Sequence, residues 1–92
     1  MDKDIKNKYL QLMQQNAVDK ALELLQAYVS DNATDDEGWY LIGNAYRKKD
    51  QWQQALNAYQ QAIECNPASP AKQAYAMIVE ILNFYDQQRY NA

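Results

Sequence analysis

Between residues 35 and 65 the apolar positions recur every three or four residues, not every second one. Trp39, Ile42, Gly43 and Tyr46 fall on one face of a first segment, and Ala55, Tyr59 and Ala62 on one face of the next. That is the spacing of helices packed on neighbours. No stretch alternates apolar and polar residues between turn signals, so strands are not expected. Caps mark the boundaries. Thr34-Asp35-Asp36-Glu37 has the form of a capping box, opening a helix from about residue 35 to Lys48 and Lys49, whose charges suit a helix C-terminus. Asp50 is expected to cap a second helix, about 51 to 65, ended by Asn66-Pro67. Ser69-Pro70 reads as an N-cap with proline at the first helical position of a long helix reaching about residue 88. Upstream, "DIKNKYLQLMQQ" and "VDKALELLQAYV" read as two more helices with Asn16 capping between them. The chain is therefore expected to be all-α, five helices whose very short turns force antiparallel packing.

Gly43 sits inside "WYLIGNAY", where it costs a helix about 1 kcal/mol relative to alanine. A glycine facing Ala55 and Tyr59 would let two helices approach closely, with Trp39, Tyr46 and Tyr59 filling the space around the crossing. Trp39, Ile42, Gly43, Tyr46, Ala55, Tyr59, Ala62 and Pro67 together resemble the tetratricopeptide repeat pattern, with isoleucine in place of one leucine and tyrosine in place of the phenylalanine. One period earlier, Val18, Ala21, Leu22 and Leu25 reproduce the second half of the unit. Ile5, Tyr9 and Leu12 reproduce the first half poorly. The resemblance implies one domain over 1–92: a degenerate repeat 2–35, a clear repeat 36–69 and a capping helix 70–88. It also implies a right-handed superhelical array of antiparallel helix pairs with a concave groove.

Composition narrows the function. The chain of 92 residues carries a net charge of −3, which speaks against nucleic acid as a partner. "RKK" at 47–49 is the one basic cluster, and a helix C-terminus explains it. No run of eighteen apolar residues crosses a membrane, and "MDKDIKNKYLQLM" lacks the apolar core of a secretion signal. The single cysteine, Cys65, allows no internal disulfide and suits a reducing, cytoplasmic compartment. There is no histidine, glycine-rich loop, CxxC or HExxH, so no enzyme, metal site or cofactor is expected.

Protein binding is the remaining class. With Trp39, Ile42, Gly43 and Tyr46 facing the core, the groove stripe of the third helix is expected to comprise Glu37, Tyr40, Leu41, Asn44, Arg47 and Lys48. Repeat arithmetic adds Lys3, Lys6, Asn7, Leu10 and Met13 from the first helix, and Ala71, Ala74, Tyr75, Ile78 and Leu82 from the last. The residues expected to hold a partner peptide or helix are Lys6, Leu10, Tyr40, Leu41, Asn44, Arg47, Lys48, Tyr75, Ile78 and Leu82. They give an apolar floor with basic or amide residues toward one side. Chaperone-binding members of the family hold a carboxylate tail in a clamp. The matching positions here are Lys6, Leu10, Leu41, Ala71 and Tyr75, of which only Lys6 fits. On this reading, Leu41→Asp with Ile78→Asp abolishes capture and leaves helix content intact. The alternative reading is self-assembly: "AYAMIVEILNFY" is apolar around more of its circumference than one neighbour requires, which suits a homodimer.

Overall fold

Five helices, and no strand among the described residues, build the chain: α1 Lys3–Gln14, α2 Val18–Asp31, α3 Asp36–Lys48, α4 Trp52–Cys65 and α5 Ala71–Asn91. The structure is a computed structural model that describes the backbone of residues 1–91 and the side chains of residues 1–84. α5 runs past the expected end, and the side chain of Tyr85, counted above in its apolar stripe, lies outside the described residues.

The turns repeat as well as the helices. α4 begins and ends 34 residues after α2. Asn16 and Asp50, also 34 residues apart, are the two non-glycine residues with positive φ among the described residues, 60° and 59°. After α1, Asn16 N–H donates to the Met13 carbonyl at 3.0 Å and Ala17 N–H to the Leu12 carbonyl at 2.8 Å. After α3, Asp50 and Gln51 do the same toward Arg47 and Tyr46, both at 3.0 Å. Each is a Schellman turn with a short polar residue in the left-handed position.

This corrects two cap assignments. Asp50 closes α3 and does not open α4, whose N-cap is Gln51 with no side-chain bond. Aspartate suits both ends of a turn, so residue type alone could not separate them. Asp35, and not Thr34, caps α3 by accepting the Glu37 N–H at 3.1 Å. Ser69 acts as expected, its Oγ accepting the Ala71 N–H at 3.1 Å.

Two apolar clusters form the core. Tyr9, Leu22, Leu25, Val29, Leu41 and Ile42 lie in the first, among α1, α2 and α3. Ala55, Tyr59, Ala62, Ala71, Ala74 and Ile78 make the second, between α4 and α5. Trp39, Tyr40 and Tyr46 pack against both and join them. Contacts follow chain order, each helix touching the next. Polar ties reinforce the first three helices. Tyr9 Oη donates to the Leu41 carbonyl at 3.3 Å, Gln26 Nε2 to Tyr46 Oη at 3.0 Å, and Lys48 Nζ to the Met13 carbonyl at 3.2 Å. Lys49 pairs with Asp19.

Gly43 lies against the fully buried ring of Tyr59. A Cβ placed there would come within 2.9 Å of Cζ and closer still to Cδ1 and Cε1. One period earlier the bulk changes helix: Tyr9 stands where Gly43 would be, and Leu25 where Tyr59 would be. A glycine–tyrosine pair thus becomes a tyrosine–leucine pair, which is why the first repeat looks degenerate. Gly38 performs a similar service toward α2, its missing Cβ facing Val29 Cγ1 at 2.8 Å.

Tyr9 is 3% exposed, and burial, with Tyr59 and Tyr40 alongside, pushes its hydroxyl up to about 12 from 10.0. Burial also raises Tyr59, against the opposing effect of Arg47. A raised folded pKa leaves stability intact below the unfolded value and removes it as pH climbs toward the folded one. Urea unfolding is therefore expected to show a loss of about 2–3 kcal/mol attributable to Tyr9 between pH 10 and 12. Tyr9→Phe should lose correspondingly less over that window.

Candidate functional site: the groove between α1 and α3

α3 is sandwiched between α2 and α4, and this decides which of its side chains reach solvent. Gly38, Leu41, Ile42 and Ala45, spaced as one helical stripe, are buried on one side, and Gly43 faces Tyr59 on the other. Tyr40, Asn44 and Arg47 are left half-buried on successive turns. Tyr40 stacks obliquely near Tyr59, with ring centroids 6.0 Å apart and 39° between planes. Asn44 Oδ1 accepts the Tyr59 hydroxyl. Trp39 and Tyr46, expected to face the core, are half-buried and line a second hollow with Gln26 and Ala58.

An open hollow of 490 Å³ lies where α1, α3 and the start of α5 meet. Lys6, Glu37, Tyr40, Leu41 and Pro70 line it, with Met1, Asp35 and Asp36 at the same end. Lys6 and Tyr40, from different helices, are brought together as expected. Leu10 is 46% exposed on α1.

Three expectations change. Leu41 is 7% exposed, a core residue whose edge forms the hollow's floor, because α2 covers a face of α3 that a single-partner reading left open. Ile78 is fully buried with Ala71 and Ala74, and Tyr75 and Leu82 pack half-buried against that same cluster. α5 therefore turns onto α4 the stripe that its counterpart α3 opens to the groove. Lys48 is exposed, but its ammonium donates to the Met13 carbonyl at the C-terminal end of α1.

The electrostatics also differ from a basic groove wall. Lys6 Nζ sits 2.7 Å from Glu37 Oε1, and the Met1 amine 3.3 Å from Asp35 Oδ2. Burial alone would raise the Asp35 carboxyl, but the Tyr28 hydroxyl, the Met1 amine and the Glu37 N–H hold it below the usual range. Neither these ties nor the Tyr9–Leu41 bond was read from sequence; partners 32 and 7 residues apart leave no local signal.

Cys65 is half-buried, its Sγ donating to the Ala33 carbonyl at 3.4 Å, which also accepts Trp39 Nε1 at 2.9 Å. Burial first, then Asp36, Glu64 and Asp35, push the thiol up, making it a poor nucleophile. Among the described residues no group of histidine, cysteine or carboxylate side chains is arranged to hold a metal ion, and no helix is long and apolar enough to cross a membrane.

Comparison with known proteins fits this geometry. Residues 37–69 match the family model described as tetratricopeptide repeat. BF1650, a Bacteroides fragilis protein solved in solution by NMR, is 47% identical over 99% of this chain and 91% of its own, with a TM-score of 0.84. MamA from Desulfovibrio magneticus RS-1 superposes with a TM-score of 0.77 at 23% identity, covering 90% of this chain and 48% of that one. A double mutant of MamA RS-1 gives 0.80 at 17% identity, covering 92% and 48%. The two MamA structures share the fold, and the chain spans about half their length. A comparison with curated proteins found no match.

Proposed function

The chain belongs to the tetratricopeptide repeat family, whose repeats generally mediate protein–protein interaction, and from that premise we propose a non-enzymatic binding module. It holds a partner peptide or helix in the groove between α1 and α3. Leu10, Tyr40, Asn44 and Arg47 are the contact residues, Lys6 on Glu37 is a displaceable cover at their edge, and α5 caps a degenerate and a clear repeat. The supporting observation is the hollow itself, 490 Å³ and lined by Lys6 and Tyr40 from two helices, with Leu10, Asn44 and Arg47 one or two turns further along those helices. Apolar recesses with a few convergent polar groups are where partner side chains anchor.

The test uses the exposed Leu10 and the half-buried Arg47, both outside the core clusters. Leu10→Asp combined with Arg47→Glu is expected to keep the wild-type circular dichroism spectrum and to weaken partner capture about tenfold or more, the effect of losing one anchor. Capture at wild-type strength by that folded variant would remove the groove reading. Self-association through α5 has one observation in its favour, the 50% and 56% exposure of Met77 and Phe84. Sedimentation at tens of micromolar decides it, since a strict monomer rules out obligate pairing.

A further inference from the structure

We propose that the groove selects a basic segment, seating a partner's lysine or arginine with its aliphatic stem on Tyr40 and Pro70 and its cationic head on Asp36 and Glu37. This rests on the groove reading above and adds the chemistry of the occupant.

The chain already displays that chemistry on itself. Two ammonium groups converge on the first turn of α3: Lys6 on Glu37 at 2.7 Å, and the Met1 amine on Asp35 at 3.3 Å and Glu37 at 4.0 Å. The three carboxylates are not equivalent. Asp35 is committed, since it caps α3 and accepts the Tyr28 hydroxyl. Asp36 accepts only a long bond from Asn66 Nδ2 at 3.4 Å among the contacts described. Glu37 is held by Lys6, whose side chain is 47% exposed. An ion pair that exposed contributes about 1 kcal/mol or less, so an incoming cation can displace it.

The rest of the hollow suits the stem of such a residue. Tyr40 and Pro70 offer apolar surface next to the carboxylates, and long basic side chains bury their stems while keeping the head at polar groups. A tyrosine face adds cation–π attraction. The net charge of −3 favours encounter with a basic partner. An acidic tail, by contrast, would meet carboxylates where a clamp would offer lysines.

Fluorescence polarisation with two dye-labelled, end-blocked peptides tests this: Ala-Leu-Lys-Ala-Leu-Lys-Ala and its glutamate counterpart. The lysine peptide is expected to bind about tenfold more tightly at low ionic strength, with added salt reducing the difference. Asp36→Asn with Glu37→Gln, which leaves the Asp35 cap intact, should weaken it about fivefold. Lys6→Ala, which removes the internal competitor, should strengthen it about two- to fivefold. Equal binding of both peptides, no binding of either, or indifference to the Asp36 and Glu37 variant overturns the inference. A preference for the glutamate peptide that Leu10→Asp abolishes would sink the basic occupant and leave the groove reading standing. Lysine-peptide binding untouched by Leu10→Asp and Tyr40→Ala would place the site elsewhere and sink both.

Discussion

Gly43→Ala is expected to lower the unfolding free energy by about 1–3 kcal/mol, the range for overfilling a packed core. The sign is informative, because alanine is the better helix former by about 1 kcal/mol and an unconstrained site would gain stability. The added methyl would fall within 2.9 Å of Tyr59 Cζ, and Tyr59 is fully buried with its hydroxyl engaged by Asn44. The ring therefore has little room to yield. Tyr59→Leu alone should cost about 2–4 kcal/mol, through lost ring contacts and an orphaned Asn44. Combining the two should cost less than their sum by about 1–2 kcal/mol, since the methyl then occupies space the ring has left. Tyr9 over Leu25 in the first repeat is the natural precedent for this exchange. Urea denaturation followed by circular dichroism on the four proteins supplies the cycle. Strict additivity would mean that Gly43 and Tyr59 do not share a contact.

The second large effect is that Leu41→Asp with Ile78→Asp unfolds the protein. Both positions lie in the core, at 7% and 0% exposure, one in each apolar cluster. An unpaired buried carboxylate costs about 3–5 kcal/mol. Two of them approach or exceed the whole stability of a small domain, about 5–15 kcal/mol. Far-UV circular dichroism should show loss of helix, and each single variant should melt well below the parent. The pair is therefore no control for groove binding. Leu10→Asp, at a position 46% exposed, should remain folded and can serve as one.

The fold was legible because it is written in local signals. Helix period and Ser69-Pro70 each act over one or two turns of chain, and the Trp39 to Pro67 spacing over a single helix pair. The candidate site was legible only in part, since exposure depends on how many neighbours a helix has. Tyr40, Asn44 and Arg47 keep the partial exposure expected of them because they lie between two covered faces of α3. Leu41 was misplaced because α2 covers a face that pairing with α4 alone leaves free. Ile78 was misplaced because repeat arithmetic assumes equal helix rotation, and α5, with alanines at 71 and 74, rolls its small-residue face onto α4. The acidic character of the hollow was hidden for another reason. Lys6 and Glu37 are distant in sequence, and capping fully accounts for carboxylates at a helix start.

The uneven fastening of the helices has a consequence for how the molecule comes apart. Side-chain bonds stitch α1 and α2 to α3, while α5 packs on α4 through apolar contacts of Ala71, Ala74, Tyr75, Ile78 and Leu82. In a stack of helices local opening is easiest where the fewest ties cross. Amide hydrogen exchange is therefore expected to be faster along α5 than along α3.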